Sequence, residues 1–158
     1  MTDKELCNIL ENEEINNHLK SIKIIALRNF VEESLLKYGT IEKYKQANQV
    51  VDLLYKMLIK KKQIVNGVEQ SFVDVLKVAG FIHNLFYNNT VSSLFLAREK
   101  LLPLAKDKYK IPDNYINSIF QAVECQLGED TPVPQCKPIP GTPTELFAWS
   151  CWLVKQKK

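Results

Sequence analysis

Histidine, cysteine and glycine are scarce in this sequence, and each scarcity excludes a class of protein. The 158 residues include two histidines, four cysteines and five glycines. The cysteines, at positions 7, 125, 136 and 151, form no Cys-x-x-Cys pair, so neither a disulfide framework nor a zinc module is predicted. Because no Gly-rich phosphate loop, nucleophile elbow or Cys-His dyad is present, conventional nucleophilic enzymes are disfavoured.

A strong charge imbalance and a long apolar run are also missing. The 21 basic and 18 acidic side chains are mixed along the chain and leave a net charge of +3, so we expect no long nucleic acid as a partner. No apolar stretch approaches the roughly 18 residues of a membrane span. The first residues, Met1 to Glu5, lack the basic-then-apolar layout of a signal peptide. We therefore expect a cytoplasmic protein with no membrane partner.

The composition is that of an ordinary globular domain. Hydrophobic residues make up 46% of the chain and charged residues 25%, which is not the balance of a disordered or fibrous protein. A chain of this length buries roughly two-thirds of the surface that its unfolded form exposes. We expect residues 1–158 to form a single domain.

Apolar residues recur at steps of three and four along most of the chain, which predicts an all-α fold. There is no useful alternating pattern of the kind that strands require. Glycine, proline and asparagine divide the pattern into about six helices. The predicted segments run from Ile15 to Tyr38, from near Thr40 to Lys62, from Ser71 to Phe86, from Leu94 to near Pro103, from Pro112 to Leu127, and from Thr142 to Lys158.

Particular residues are expected to shape the first and third of these helices. Gly39 should close the first helix in the left-handed conformation that glycine accepts. Ser71 is a candidate N-cap for the third helix. His83 is expected to lie within that third helix, on an otherwise apolar face.

The segment before the last helix is rich in proline. Between Glu129 and Pro143 the chain carries five prolines, which predicts an ordered loop over the surface of the helices. Thr142 and Glu145 then fit a capping box, with Pro143 at the first helical position.

The stretch around His83 resembles the signature of HD-type metal-dependent phosphohydrolases, in which small and apolar residues precede an adjacent His-Asp pair. Here it reads Val78-Ala79-Gly80-Phe81-Ile82-His83-Asn84-Leu85. Later segments follow in the order seen in small stand-alone HD domains, many of them encoded by phages: Arg98–Leu102, Ala122–Gly128, the proline-rich loop and Thr142–Phe147. The resemblance, from about Tyr44 to Lys155, implies a compact HD-like bundle with an N-terminal extension over 1–39 and a core over 40–158.

The resemblance also places the family's metal ligands on this chain. The early His falls at Gln46, the His-Asp pair at His83 and Asn84, and the terminal Asp at Cys151. In that family such ligands hold metal ions that activate water against a phosphate ester. A hard cation needs anionic or strongly donating ligands, whereas amides offer neutral oxygens, and His83 with Cys151 falls short of a catalytic zinc site. We therefore predict no metal, no cofactor and no catalytic residue.

The groups at these positions suit an organic ligand instead. Amides can read a base or ribose, and Arg98 and Lys100 can meet a phosphate with charge-assisted hydrogen bonds. We predict a non-catalytic HD-like protein that binds, without hydrolysing, a nucleotide-like phosphorylated molecule. A viral protein that sequesters a host nucleotide signal is one form that this function could take. The predicted ligand-binding residues are Gln46, His83, Asn84, Tyr87, Arg98, Lys100, Gln126 and Cys151; Tyr87 and Gln126 replace a lysine and a histidine that are frequent in the family.

A first alternative is an interaction scaffold that docks onto a protein partner, or onto a second copy, through an exposed helix face. Trp149 and Trp152 lie three apart on the last helix, where we expect a core or interface position. An exposed patch containing Trp149, Trp152 or Phe147 would favour this alternative.

A second alternative is a phosphohydrolase with a displaced metal site. Carboxylates such as Asp52, Asp74 or Glu124 would supply its ligands, and stoichiometric bound metal would support it.

Overall fold

The computed structural model describes residues 1–12, 17–60, 70–131, 134–139 and 141–156. Seven α-helices and no β-strand lie within these ranges, which confirms the predicted all-α fold. None of these helices is both long and apolar enough to span a membrane. The helices are α1 (Asp3–Glu11), α2 (Ile25–Tyr38), α3 (Ile41–Lys60), α4 (Gln70–Ile82), α5 (Leu96–Pro103), α6 (Asp113–Glu124) and α7 (Pro143–Gln156).

The N-terminal part differs most from the predicted pattern. The helix expected from Ile15 begins at Ile25, and Ile15 itself lies outside the described residues. An unpredicted helix, α1, comes first and starts with a capping box between Thr2 and Glu5. The apolar stripe of 15–38 is therefore shared between a turn at residues 18–21 and the shorter helix α2.

The start of α2 is determined by a residue from another helix. The carboxylate of Asp74, which is fully buried in α4, accepts hydrogen bonds from the backbone N–H groups of Lys23 and Ile24, both at 3.0 Å. Lys23 and Ile24 directly precede α2, so this carboxylate anchors the segment that leads into the helix. Because the acceptor is distant in sequence, periodicity alone could not locate this boundary.

Gly39 ends α2 as predicted but not in the predicted conformation. Its φ of −88° and ψ of 161° are extended rather than left-handed. Glycine is nevertheless favoured, because a Cβ here would lie 2.7 Å from the carbonyl oxygen of Leu35 and the backbone would have to shift to admit it. The chain then enters α3 at Ile41, close to the predicted start.

The boundaries of α4 are also shifted. The helix begins at Gln70, so Ser71 lies inside it and is not its N-cap. It ends at Ile82, so His83 belongs to the turn that follows rather than to the helix. At this position the His83 side chain can reach a carbonyl of the last helical turn, where intrahelical partners run out.

The segment that follows Asn89 is helical over a longer stretch than predicted. A 3-10 turn over Ser92–Phe95 leads into α5, and a π-helical turn over Leu104–Lys108 continues the helix past Pro103. Proline removes one helical hydrogen bond, and a change of turn type is a common way to accommodate that loss. The α-helix itself ends at Pro103 as predicted, whereas the π-helical turn that follows it was not predicted.

The C-terminal helices follow the prediction in order but not at every end. α6 ends at Glu124, before Gly128, which takes the left-handed conformation with φ of 60°. α7 begins at Pro143 as predicted and is described as far as Gln156; Lys157 and Lys158 lie outside the described residues.

The predicted capping box at the start of α7 is wrong. The Thr142 hydroxyl donates to the carbonyl oxygen of Ile139 at 2.6 Å instead of accepting from the helix. The Glu145 carboxylate does reach back, but it accepts from the Gly141 N–H at 3.2 Å. Both side chains that would have formed the capping box are therefore hydrogen-bonded to the backbone of the preceding turn.

One continuous hydrophobic core joins all of these helices. α3 packs along α7 and α4, and α4 packs along α2 and α6. The core includes side chains from residues 1–39 as well as from 40–156. Its largest fully buried members are Phe30, Phe81, Phe120, Phe147 and a set of leucines and isoleucines.

Gly80 permits the close approach of α4 to α3. A Cβ at this position would lie 2.4 Å from Cγ2 of Val51. We expect Gly80→Ala to lower the free energy of unfolding by about 1–3 kcal/mol, because extra volume in a packed core forces side chains and backbone to shift. Urea unfolding measures this loss.

The matched control is the Gly80→Ala, Val51→Ala double variant. It removes the clashing methyl, so its loss of stability should be smaller than the sum of the two single losses. Additive losses would show that the two helices do not meet at this point.

Candidate functional site

The turn after α4 holds the residues that carry the HD resemblance. His83 is buried, with 3% of its surface exposed. Its Nδ1 donates to the carbonyl oxygen of Gly80 at 2.5 Å, and its ring meets that of Phe147 edge-on at a centroid distance of 5.9 Å. Because a carbonyl only accepts, the proton lies on Nδ1. Burial lowers the pKa of His83 to about 4, so the ring is neutral at physiological pH.

Asn84 connects this turn to α3. Its Nδ2 donates to the carbonyl oxygen of Lys43 at 2.9 Å, and the Lys43 ammonium donates to the carbonyl oxygen of Leu85 at 2.8 Å. The Asn84 amide is thereby oriented, since its nitrogen must face the carbonyl. Its Oδ1 is buried and has no hydrogen-bond partner within the described part of the chain.

Gln126 connects the same turn to the end of α6. It is 2% exposed, and its Nε2 donates to the carbonyl oxygens of His83 at 3.1 Å and Val123 at 3.0 Å. Its Oε1, like Oδ1 of Asn84, is buried without a partner among the described residues. Both side-chain amides therefore donate their hydrogen bonds to backbone carbonyls of the protein rather than to a ligand in a cavity.

Cys151 lies on α7 one turn beyond Phe147, the aromatic neighbour of His83. It is 1% exposed, and burial raises the pKa of its thiol to about 12. A thiol must lose its proton to bind zinc. A neutral buried thiol and a neutral imidazole therefore make a poor metal pair.

The other two predicted residues near this region are engaged with other side chains. Arg98 binds Glu124 through two hydrogen bonds, at 2.9 and 3.1 Å, and its guanidinium lies 5.4 Å from the ring centroid of Phe120. This bidentate pairing raises the pKa of Arg98. The Lys155 ammonium lies 4.6 Å from the ring centroid of Tyr87.

Gln46 and Lys100 lie apart from this cluster. Gln46 lines a groove of about 830 Å³ along α3, together with Lys43, Lys45, Lys56 and Val154 of α7. Lys100 lines a different groove, of about 450 Å³, beside Lys37 and Lys108. The structure therefore divides the predicted ligand site into a buried cluster, two separate grooves and the Arg98–Glu124 pair.

The carboxylates considered for a displaced metal site do not meet. Asp52 binds His18 at 3.0 Å and Lys56 at 2.8 Å, Asp74 accepts from the backbone N–H groups of Lys23 and Ile24, and Glu124 binds Arg98. Among the described residues no group of three or more histidine, cysteine, aspartate or glutamate side chains could hold a metal ion.

A polar cluster around His18 was not predicted from the sequence. This histidine is 4% exposed and packs against the ring of Tyr55, with 5.1 Å between centroids. The nearly buried Lys77 donates to the Ser21 hydroxyl at 2.7 Å and lies 4.9 Å from the Tyr55 ring centroid. Burial is the main cause that lowers the pKa of both His18 and Lys77. No motif surrounds His18, so the sequence offered no signal for this cluster.

The second feature outside the predicted site is a cleft on the surface of α7. Trp149 is 52% exposed and Trp152 46% exposed, so a core position is wrong for both. Their rings meet edge-on, with 6.1 Å between centroids. Phe147 is fully buried and does not contribute to this surface.

We call this feature the tryptophan cleft. It has a volume of about 170 Å³ and is formed by α7 and the turn that follows α6. Its lining residues are Leu127, Gly128, Glu129, Asp130, Pro138, Glu145, Ala148, Trp149 and Trp152.

No protein-family model, curated protein or solved structure matches this chain. The resemblance to HD domains consequently stays a prediction, and functional arguments must come from the residues themselves.

The buried state of His83 predicts a specific dependence of stability on pH. The ring stays neutral in the folded protein down to about pH 4, whereas in the unfolded chain it gains a proton below about pH 6.5. The unfolded state therefore binds more protons in this window, and stability falls as the pH is lowered through it. We expect His83 alone to account for a loss of about 2 kcal/mol between pH 7 and pH 5.

Urea unfolding at the two pH values measures the decrease in the free energy of unfolding. The His83→Gln variant should lack the part of this decrease that comes from His83. His18→Gln is the control, because the lowered pKa of His18 contributes separately. An NMR titration of the folded protein gives a second readout. A His83 ring signal that titrates near pH 6.5 would contradict the buried, neutral state.

Proposed function

We propose that this chain is a non-catalytic binding protein that docks onto a protein partner through the tryptophan cleft. The observation that carries the proposal is the exposure of Trp149 and Trp152, the two tryptophans of the sequence, on one helix beside a cleft. Tryptophan is a large amphipathic side chain that is enriched at interfaces and among the residues that dominate binding energy.

The neighbourhood of the cleft supports a partner of some size. Ile139, which follows Pro138 of the cleft lining, is 71% exposed. Adjacent exposed apolar side chains of this kind are characteristic of interaction surfaces. A macromolecule can cover the tryptophans and Ile139 together, whereas a ligand confined to the cleft cannot.

The absence of catalysis is part of the proposal and is supported by the state of the polar side chains. His83 is neutral and bonded to Gly80, Asp52 and Glu124 are paired, and the Cys151 thiol is buried and protonated. A general base or nucleophile needs a free group with a pKa near the working pH. The cytoplasmic location expected from the sequence also remains part of this proposal.

Site-specific photocrosslinking tests the docking proposal. A benzophenone amino acid placed at Ile139 keeps both tryptophans intact and reports on whatever covers the cleft. In an extract of the cells that naturally make the protein, we expect one discrete crosslinked product that is lost when Trp149→Ala or Trp152→Ala is added. Circular dichroism would verify that these variants fold.

The matched control is the same photocrosslinker at Ile25, which is 73% exposed on α2. The same products from both positions, or products that survive both tryptophan variants, would reject the tryptophan cleft as the docking site.

A second candidate function is binding of a nucleotide-like phosphorylated molecule in the groove that Gln46 lines. This groove combines Gln46 and Gln49, whose amides suit a base or ribose, with Lys45, whose ammonium suits a phosphate. Lys43 and Lys56 also line the groove but are bonded to the Leu85 carbonyl and to Asp52. Its volume of about 830 Å³ admits a molecule of that size. Sequestration of a host nucleotide signal by a viral protein would be one use of such a groove.

A panel of linear and cyclic nucleotides tests this candidate by thermal shift, with chromatography to follow the integrity of the ligand. Binding at concentrations well above Kd should raise Tm by roughly several degrees. Gln46→Leu and Lys45→Gln should abolish the shift, whereas Gln121→Leu, an exposed amide on α6, should not. Recovery of a hydrolysed ligand would revive the enzyme alternative, and no shift with any nucleotide would remove this candidate.

A further inference from the structure

The rim of the tryptophan cleft is acidic, although the chain as a whole has a net charge of +3. Three carboxylates, those of Glu129, Asp130 and Glu145, belong to its lining, which contains no lysine or arginine among the residues that the structure describes. Glu129 and Asp130 are exposed and make no ion pair within the described part of the chain. The cleft therefore presents a local negative charge that nothing in its lining neutralises.

Backbone geometry holds two of these carboxylates beside the tryptophans. Gly128 has a φ of 60°, and a Cβ on it would lie 3.3 Å from Cβ of Ala148 on α7. The turn at Gly128 therefore packs closely against α7, which is the helix that carries Trp149 and Trp152. Glu129 and Asp130 follow directly in a 3-10 turn, so their position relative to the tryptophans is set by ordered backbone.

Aromatic faces and carboxylates together attract organic cations. A cation near the face of a tryptophan ring interacts with the quadrupole of the ring, and a neighbouring carboxylate adds a charge-assisted hydrogen bond. Arginine suits this combination better than lysine, because its planar guanidinium can stack on an aromatic ring and pair with a carboxylate through a fork of donors.

The size of the cleft limits what it can accept. Its volume of about 170 Å³ is comparable to that of an engineered cavity of roughly 150 Å³ that holds a benzene-sized molecule. One long side chain fits this space, whereas a nucleotide or a helix does not.

We propose that the tryptophan cleft receives an arginine side chain from a basic segment of the protein partner, with Trp149 and Trp152 contacting the guanidinium and Glu129 and Asp130 pairing with it. This inference rests on the docking function proposed above and specifies the chemistry of the partner. The rest of the segment would cover the exposed tryptophan edges and Ile139.

A fluorescence titration tests the inference. Because the sequence contains two tryptophans and both line the cleft, intrinsic fluorescence reports directly on its occupancy. The probe is a short acetylated and amidated Gly-Arg-Gly-Arg-Gly peptide, compared with the same peptide carrying citrulline, which keeps the shape of arginine without its charge. We expect a saturable change with the arginine peptide and at least ~10-fold weaker binding of the citrulline peptide.

Variants locate the charge that is responsible. Glu129→Gln with Asp130→Asn should weaken binding of the arginine peptide about 5-fold, and added salt should weaken binding to the wild type. The matched control is Glu99→Gln with Asp107→Asn, which removes the same charge from exposed positions outside the cleft and should leave affinity unchanged. Equal affinity for the two peptides, or equal effects of the two double variants, would overturn the inference.

The outcomes separate this inference from the docking proposal. One outcome is that the photocrosslinker at position 139 captures a partner only when both tryptophans are present, while the cleft does not bind the arginine peptide. In that case the docking proposal holds and the proposal of a basic segment is rejected. If the cleft binds the peptide but the photocrosslinker at position 139 captures nothing, recognition of arginine by the cleft holds and docking onto a protein partner is rejected. A concentration-dependent dimer in sedimentation that Trp152→Ala abolishes, without a response to the peptide, would assign the cleft to a second copy.

Discussion

The turn at residues 83–85 is the point on which the arrangement of this bundle depends. Its backbone carbonyls are bound by Gln126 at the end of α6 and by Lys43 near the start of α3. Its side chains bind back to Gly80 of α4 and to the carbonyl of Lys43. Buried polar groups of this kind are costly unless they are paired, so the hydrogen bonds of this turn favour one arrangement of the helices.

This network also decides where recognition can take place. The resemblance to HD enzymes predicts that these residues face a ligand site, whereas the amide N–H groups of Asn84 and Gln126 donate to backbone carbonyls. The imidazole of His83 and the thiol of Cys151 are buried in their neutral forms. The groove along α3 and the tryptophan cleft on α7, by contrast, are accessible. The two proposed functions correspond to these two surfaces.

The all-α fold could be predicted from the sequence because the apolar stripes of α3, α4, α6 and α7 follow the helical period and their side chains are buried as that period requires. Boundaries set by distant residues could not be predicted. Asp74 fixes the start of α2 from another helix, and the Thr142 hydroxyl is taken by the preceding turn.

The candidate site was predicted less well, because exposure is a property of packing rather than of local sequence. Trp149 and Trp152 have the spacing of a buried stripe, yet the helix presents Phe147, Cys151 and Val154 to the core instead. Nothing in the sequence around His18 indicates its contact with Asp52, which is 34 positions away along the chain. The lone His83 could be found from its motif, but its burial and its bond to Gly80 could not.

The central claim is that recognition takes place at the tryptophan cleft while the residues around His83 serve the fold. A two-dimensional ¹H–¹⁵N NMR spectrum of the labelled protein, recorded with and without the arginine peptide and then the nucleotide panel, tests this most directly. We expect the two indole N–H signals to shift with the peptide, while the side-chain amide signals of Asn84 and Gln126 stay in place with every ligand. Shifts of those amide signals with a nucleotide, and none of the indole signals with the peptide, would contradict the central claim.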